Sequence, residues 1–431
     1  MSLRTDQEKT GLHHSISEDK LLHVTKDLYR SKGVKSLLLS CEILNELLLH
    51  DPWTLQLARK DKTLFTFLKT AESKFIDPPL LGHLRLSLML IGAPDSTHRD
   101  GIKILAIDGG GMRGLVAIDI LKKIEAECGK PAYQLFDYIC GTSTGAVISF
   151  LLGLVHQSAS SCENDYKNLS KAIFKRNLVF GTSMLFLNQS YYDTDILEKA
   201  MKEKMGFKHQ LIQTISIPNT PKVAAIATHV SGPRPVPFVF RNYCHKQNAI
   251  PYYPGTYNVR PWEAVRASAA APGYFQEYKI GNNVFLDGGL VSNNPAAVAL
   301  HECKLLWPDT PIKCLVSLGT GYYCPSSDQE VKFDGSLSNK FKIIIDSATD
   351  TLKIHNVLKD ILPAGAYYRF NPPLSRQVAI NESREDFLKQ MQEDTQSYIK
   401  RKANEIGRVN TLLQDRSKRS IIRSLWKFLR R

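Results

Sequence analysis

From Gly101 onward, short β-prone runs alternate with longer helical patterns, and this alternation constrains the chain more than any other feature. Strands separated by helical crossovers build a mainly parallel sheet covered on both faces. Residues 102–107 read as a strand, DGGGMRG (108–114) as its exit turn, 115–127 as a helix, 136–140 as a second strand and 143–154 as a second helix. Further strands are expected at 222–228, 238–242, 283–286 and 313–318, with a helix over 261–270.

Leucine-rich stretches between polar breaks precede this region over 24–95, with apolar residues three to four apart, which predicts helices. Residues 1–23 mix both charge signs without an apolar core, so they read as a flexible lead-in and not as a signal peptide. After Pro372-Pro373 the composition turns charged and helix-prone, which predicts a basic helical extension over 380–431. A catalytic domain over 100–373 is left between the two. The most apolar run, 146–155, is too short for a bilayer-spanning helix and fits a helix buried in protein.

Eight cysteines lie without paired or metal-ligand spacing, so they read as reduced and mostly core, and no metal or other cofactor is expected. The net charge of +14 favours a polyanionic partner. Its placement chooses among partners: the last sixteen residues, RSKRSIIRSLWKFLRR, carry seven basic side chains, and on a helix Ile421, Ile422, Leu425, Trp426 and Leu429 oppose Arg419, Arg423, Lys427 and Arg430. That pattern suits a helix lying on an anionic membrane surface, or one docking its apolar stripe on the protein body. No base-reading module accompanies the charge, so nucleic acid is not an expected partner.

The chemistry concentrates in Gly141-Thr142-Ser143-Thr144-Gly145, a G-x-S-x-G between an apolar strand and an apolar helix. Such an elbow forces a tight turn. Gly141 and Gly145 relieve its clashes, and the Ser143 hydroxyl projects at a helix N-terminus. An oxyanion needs donors, and Gly109, Gly110 and Gly111 offer consecutive backbone amides 34 positions upstream of the serine, a spacing that fits one helical crossover. Gly109-x-Gly111-x-x-Gly114 also matches a dinucleotide fingerprint, but the second strand ends in Cys140 and not in the acid that would hold a ribose.

Asp287, followed by Gly288 and Gly289 at the end of a strand, is a candidate base, although Asp-Gly-Gly is more often only a turn. A Ser-Asp-His triad would instead draw on His301 or His355. Both fall inside helical stretches, where loop histidines are the usual requirement.

DGGGMRG, GTSTG and DGG, in that order, resemble the three signature motifs of the patatin-like phospholipase family. The flanking segments FDYICGTSTGAVISFLLGL, RASAAAPGYF, DGGLVSNNPAAVALHECKLLWPD and VSLGTG are similar in particular to the gamma-type branch of its calcium-independent A2 enzymes, and the likeness covers roughly 101–373. The resemblance implies a three-layer α/β/α fold around a mainly parallel sheet, joined to an N-terminal all-helical region and a C-terminal helical extension. It implies Ser143 as nucleophile, Asp287 as the base of a two-residue dyad, and the backbone of Gly109 to Gly111 as oxyanion hole. Arg113 would shape that hole or meet a lipid phosphate, unless it only holds the turn by a salt bridge.

The expected activity is hydrolysis of fatty acyl esters of membrane phospholipids. The competing readings are a general esterase or triacylglycerol lipase, and a catalytically silent lipid-binding scaffold whose N-terminal helices recruit a protein partner. The expected setting is intracellular and peripheral to a membrane of the endoplasmic reticulum or mitochondrion. The ending Phe428-Leu429-Arg430-Arg431 lacks a peroxisomal tripeptide.

Overall fold

A computed structural model describes residues 2–93, 100–174, 194–206, 208–246, 248–324 and 351–414, with 2–13 and 170–174 given by backbone alone. Five helices open the chain: α1 (Ser2–Arg30), α2 (Val34–His50), α3 (Pro52–Lys60), α4 (Lys62–Lys74) and α5 (Pro78–Leu90). Their starts are chemically marked. Asp51 accepts from the Trp53 and Thr54 amides, Asp61 from Thr63 and Leu64, and Asp77 from Leu80, with proline opening α3 and α5. Each aspartate satisfies amides that a first helical turn leaves without partners, and proline loses no bond there.

Residues 2–23 of the flexible lead-in expected over 1–23 are instead part of α1. Ser17, Leu21, Thr25 and Leu28 fall on one buried face, and the Ser17 hydroxyl donates to Asp51 Oδ2 at 2.8 Å. Burying each leucine is worth about 1.5–3 kcal/mol, which orders a segment whose charges alone suggest none.

The rest of the chain carries β1 (Ile102–Ile107), α6 (Gly114–Cys128), α7 (Ala132–Leu135), β2 (Tyr138–Thr142), α8 (Thr144–Gly153), α9 (Ala159–Phe174), α10 (Thr194–Met205), β3 (Lys222–His229), β4 (Val236–Arg241) and β5 (Gly255–Thr256). There follow α11 (Pro261–Ser268), β6 (Tyr278–Ile280), β7 (Asn283–Asp287), α12 (Gly289–Ser292), α13 (Ala296–Leu306), β8 (Ile312–Leu318), β9 (Tyr322–Tyr323), α14 (Leu352–Ile361), β10 (Tyr367–Phe370), β11 (Pro373–Leu374), α15 (Glu385–Arg401) and α16 (Ala403–Leu413).

The main sheet runs β10-β8-β1-β2-β3-β4-β5, and β7 adds to β3 and carries β6. Strands β10, β8, β1, β2 and β3 pair in parallel, whereas β4 and β7 run antiparallel to β3. The sheet is therefore mainly parallel, with an antiparallel margin.

Side chains of β1 alternate between two cores. Leu105 and Ile107 join α6 and α8 in one, while Ile104 and Ala106 join α13 and the N-terminal helices in the other. This is the three-layer α/β/α arrangement, with α1–α5 continuing the second layer. Helix α8 is buried along its whole length, the fate expected for the apolar run at 146–155.

Of the expected C-terminal extension, α15 and α16 are built into the first core through Met391, Ile399, Ile406 and Val409. The basic segment 416–431 lies outside the described residues. Among the described residues no helix is long and apolar enough to cross a membrane, and all eight cysteines are unpaired.

Candidate active site

The pairing register of β3 brings the two expected catalytic residues together. Strand β2 pairs with its first half, ending at Thr142 opposite Ile226, and β7 pairs with its second half, ending at Asp287 opposite Ala227. Strand β4 pairs with residues 224–229 on the other edge, so β2 and β7 must share one edge. They approach along it from opposite directions and stop at adjacent positions. Ser143, one residue past the end of β2, and Asp287, the last residue of β7, are therefore neighbours, although 144 positions separate them in sequence.

The contact is direct: the Ser143 hydroxyl donates to Asp287 Oδ2 at 2.6 Å. Ser143 adopts φ 55° and ψ −120°, a backbone conformation that costs a non-glycine residue on the order of 1–3 kcal/mol. The elbow closes so tightly that a Cβ on Gly145 would lie 2.1 Å from the Ile107 carbonyl oxygen, and one on Gly141 would lie 2.0 Å from Gly145. Half-buried Ser143 leads into α8, whose first-turn amides and dipole favour negative charge at this point.

Asp287 is buried at 7% exposure. Its Oδ1 accepts from the Gly289 amide at 2.7 Å, which orients the other oxygen toward Ser143. Burial pushes its carboxyl up to about 6, opposed by the bonds from Ser143 and Gly289. Gly288 passes the β3 backbone so closely that a Cβ there would lie 2.1 Å from the Ile226 carbonyl.

The glycine turn after β1 lies against the elbow, and a Cβ on Gly109 would sit 3.2 Å from that of Ser143. The expected oxyanion donors are not equivalent. The Gly109 amide already donates to the Asn293 carbonyl at 3.3 Å, and the Ser143 amide donates to Ser268 Oγ at 2.9 Å. The Gly110 and Gly111 amides donate to no described residue. Gly111, at φ 55°, packs on the Ile380 carbonyl, and its own carbonyl accepts from Thr144 Oγ1 at 3.0 Å and from the Tyr166 hydroxyl.

Arg113 donates to the carbonyls of Gly110 at 3.4 Å and Gly321 at 3.5 Å, so it clips the turn to the loop after β8. A deeper anchor lies at Asp108, which takes two bonds from Arg369 of β10, Nη1 at 2.8 Å and Nη2 at 2.5 Å, while Arg369 also donates to Ser317. Burial pushes the Asp108 carboxyl up and Arg369 pulls it down. A fork of bonds from a guanidinium that keeps its proton favours the ionised pair.

The structure thus gathers Ser143, Asp287, Gly109, Gly110, Gly111, Arg113, Gly141, Gly145, Gly288 and Gly289 at one end of the sheet. Among the described residues no histidine bonds Ser143 or Asp287: His301 accepts from the Tyr252 amide, and His355 pairs with the Tyr367 hydroxyl. No cluster of His, Cys, Asp and Glu among the described residues could hold a metal ion. Asn293, Thr320, Tyr166, Ser268 and the Asp108–Arg369 pair are supports that sequence reasoning did not find. Single polar residues far apart in the chain carry no periodic or spacing signal. Residues 149–154, beside the elbow, are buried core.

Residues 105–300 match the family model "Patatin-like phospholipase". The calcium-independent phospholipase A2-gamma of Oryctolagus cuniculus is 40% identical over 421 residues, which is 95% of this chain and 53% of that protein. The Homo sapiens protein of the same name is 41% identical over 412 residues, with coverage of 95% and 52%. Phospholipase A I of Arabidopsis thaliana is 32% identical over 330 residues, with coverage of 64% and 25%. The chain spans about half the length of the A2-gamma proteins it matches.

Proposed function

Because the chain belongs, through residues 105–300, to the patatin-like phospholipase family, we propose that it hydrolyses fatty acyl esters of membrane glycerophospholipids without calcium. Fatty acid and lysophospholipid are the products. The single observation that carries this reading is the 2.6 Å bond from the Ser143 hydroxyl to buried Asp287. In the proposed cycle Ser143 Oγ attacks the acyl carbonyl carbon as its proton passes to Asp287, and the amides of Gly110 and Gly111 take the oxyanion. Collapse of the tetrahedral species breaks the ester bond, and the departing lysophospholipid oxygen takes the proton back from Asp287. Water, deprotonated by the same carboxylate, then attacks the acyl carbonyl carbon, and Ser143 Oγ departs from the fatty acid, taking the proton back from Asp287.

A histidine is dispensable in this scheme because the base touches the nucleophile directly, with its carboxyl pushed up to about 6 and so ionised yet basic near neutral pH. The proposed role of Arg113 is to hold the turn that presents Gly110. We propose peripheral attachment to an anionic membrane through the basic segment 416–431, at an intracellular membrane such as the endoplasmic reticulum or mitochondrion. The α1–α5 layer is the proposed docking region for a protein partner. The decisive experiment assays Ser143→Ala and Asp287→Asn on phospholipid vesicles with chelator present. Wild-type turnover is expected to persist and both variants to be inactive; turnover retained by Ser143→Ala would overturn the mechanism.

A further inference from the structure

Beyond the dyad, one buried hydroxyl sits where the strand pairing on β3 changes hands. Ser268, the last residue of α11, is fully buried. Its Oγ donates to the Ile226 carbonyl at 2.5 Å and accepts from the Ser143 amide at 2.9 Å. Ile226 is the residue opposite Thr142, immediately before the position where β7 replaces β2. In a continuing parallel ladder the next amide of β2 would bond the β3 carbonyl directly. Here the elbow turns Ser143 away at φ 55°, and the hydroxyl fills the gap between the two groups.

The same segment holds the base. The Ser268 carbonyl accepts from the Gly288 amide at 3.1 Å, and the Ala270 carbonyl accepts from the Asp287 amide at 2.9 Å. Residues 268–270 therefore bind the Ser143 backbone through a side chain and the consecutive amides of Asp287 and Gly288 through two carbonyls.

We infer that Ser268 is a positioning residue for the acyl-transfer reaction: its hydroxyl holds the strained backbone of Ser143 so that Oγ meets Asp287 in attacking geometry. This rests on the mechanism proposed above. A Ser143 amide committed to Ser268 is thereby withdrawn from the oxyanion donors. Alanine at 268 would orphan a buried amide and a buried carbonyl at once, and the elbow would relax toward a partner for one of them. Displacement of a reacting atom by a fraction of an ångström to an ångström costs about 10- to 100-fold in rate.

The test uses the full chain carrying Ser268→Ala or Ser268→Thr, with wild type and Ser143→Ala as controls. Two rates are measured: turnover of phosphatidylcholine vesicles and covalent labelling of Ser143 by a fluorophosphonate. Ser268→Ala is expected to label to full stoichiometry but about 10- to 100-fold more slowly, with kcat reduced by a similar factor and KM within about twofold of wild type. Ser268→Thr keeps the acceptor oxygen and is expected to label faster than the alanine variant.

A Ser268→Ala protein with wild-type kcat per labelled site would overturn the inference. So would a folded Ser268→Thr protein no faster than the alanine variant. Should wild type fail on vesicles, or Ser143→Ala turn over, the phospholipase reading falls instead, and the labelling rates still judge Ser268 by themselves.

Discussion

Asp287→Asn should stabilise the protein at neutral pH while abolishing its activity. Burial raises the Asp287 carboxyl from 3.8 to about 6, so the folded protein holds this proton more tightly than the unfolded chain does. The stabilising contribution is complete below about 3.8 and is lost as pH rises through about 6, reaching a deficit of about 3 kcal/mol at neutrality. At 7% exposure, solvent screening takes little off that figure. Asparagine carries no charge to desolvate, and its Oδ1 can still accept from Gly289.

Urea unfolding of wild type and variant in parallel isolates this one group, because every other carboxylate cancels in the difference. The stability gap should open from near zero at about pH 4 to as much as about 3 kcal/mol at about pH 7.5. In the same window wild-type kcat/KM should fall on the acid side with a midpoint near 6, reaching about one tenth of its plateau one pH unit below. A gap no wider at neutral than at acid pH, or a kcat/KM profile flat through pH 5, would show that the carboxylate is neither strained by burial nor the working base.

Arg369→Met leaves the Asp108 carboxylate buried without its partner and should cost about 3–5 kcal/mol by urea denaturation; a loss below about 1 kcal/mol would mean the pair anchors nothing. Gly145→Ala places a methyl 2.1 Å from the Ile107 carbonyl, so activity should collapse with at least about 1–3 kcal/mol of stability, measured as kcat and melting temperature of the purified variant. His301→Asn and His355→Asn should retain kcat on a soluble ester, because neither ring bonds Ser143 or Asp287; inactivation by either would restore a triad. Removing residues 416–431 should weaken sedimentation with anionic vesicles while sparing hydrolysis of a soluble ester, and unchanged sedimentation would remove that segment from membrane binding.

How much of this was legible in the sequence depended on the range of the interaction involved. Strand β1 was placed to the residue, and β2 and α8 within two, because apolar runs and glycines report local structure directly. Ser143 and Asp287 are legible as candidates because they sit at ends of strands, where turn glycines mark the change of direction. The pairing register that makes them touch is not, since nothing in NNVFLD states which edge of β3 it joins. Two-residue strands such as β9 and β11 fall below any periodicity. The α1 helix escapes the sequence reading because its buried face is spaced among charges, and RASAAAPGYF enters only through the family resemblance, with nothing in it to single out Ser268.

The features on which the proposed mechanism relies are costly in the same place: Ser143 at φ 55° and an Asp287 carboxyl raised to about 6 both store free energy at one break in the β3 ladder. Each cost is a sizeable fraction of a typical net stability of about 5–15 kcal/mol, so neither persists unless neighbouring structure over-determines it. The backbone bonds show where that determination comes from. Ser143 is held by Ser268 and by the start of α8; Asp287 by Ala270 and Gly289; the glycine turn by Arg113, Thr320, Asn293 and Ile380. These supports come from six separate stretches of chain, four of them after residue 260. A fragment ending before α11 would contain the serine elbow and the glycine turn but neither the base nor the hydroxyl that holds the elbow, and would be inert toward a serine-directed probe as well as toward lipid.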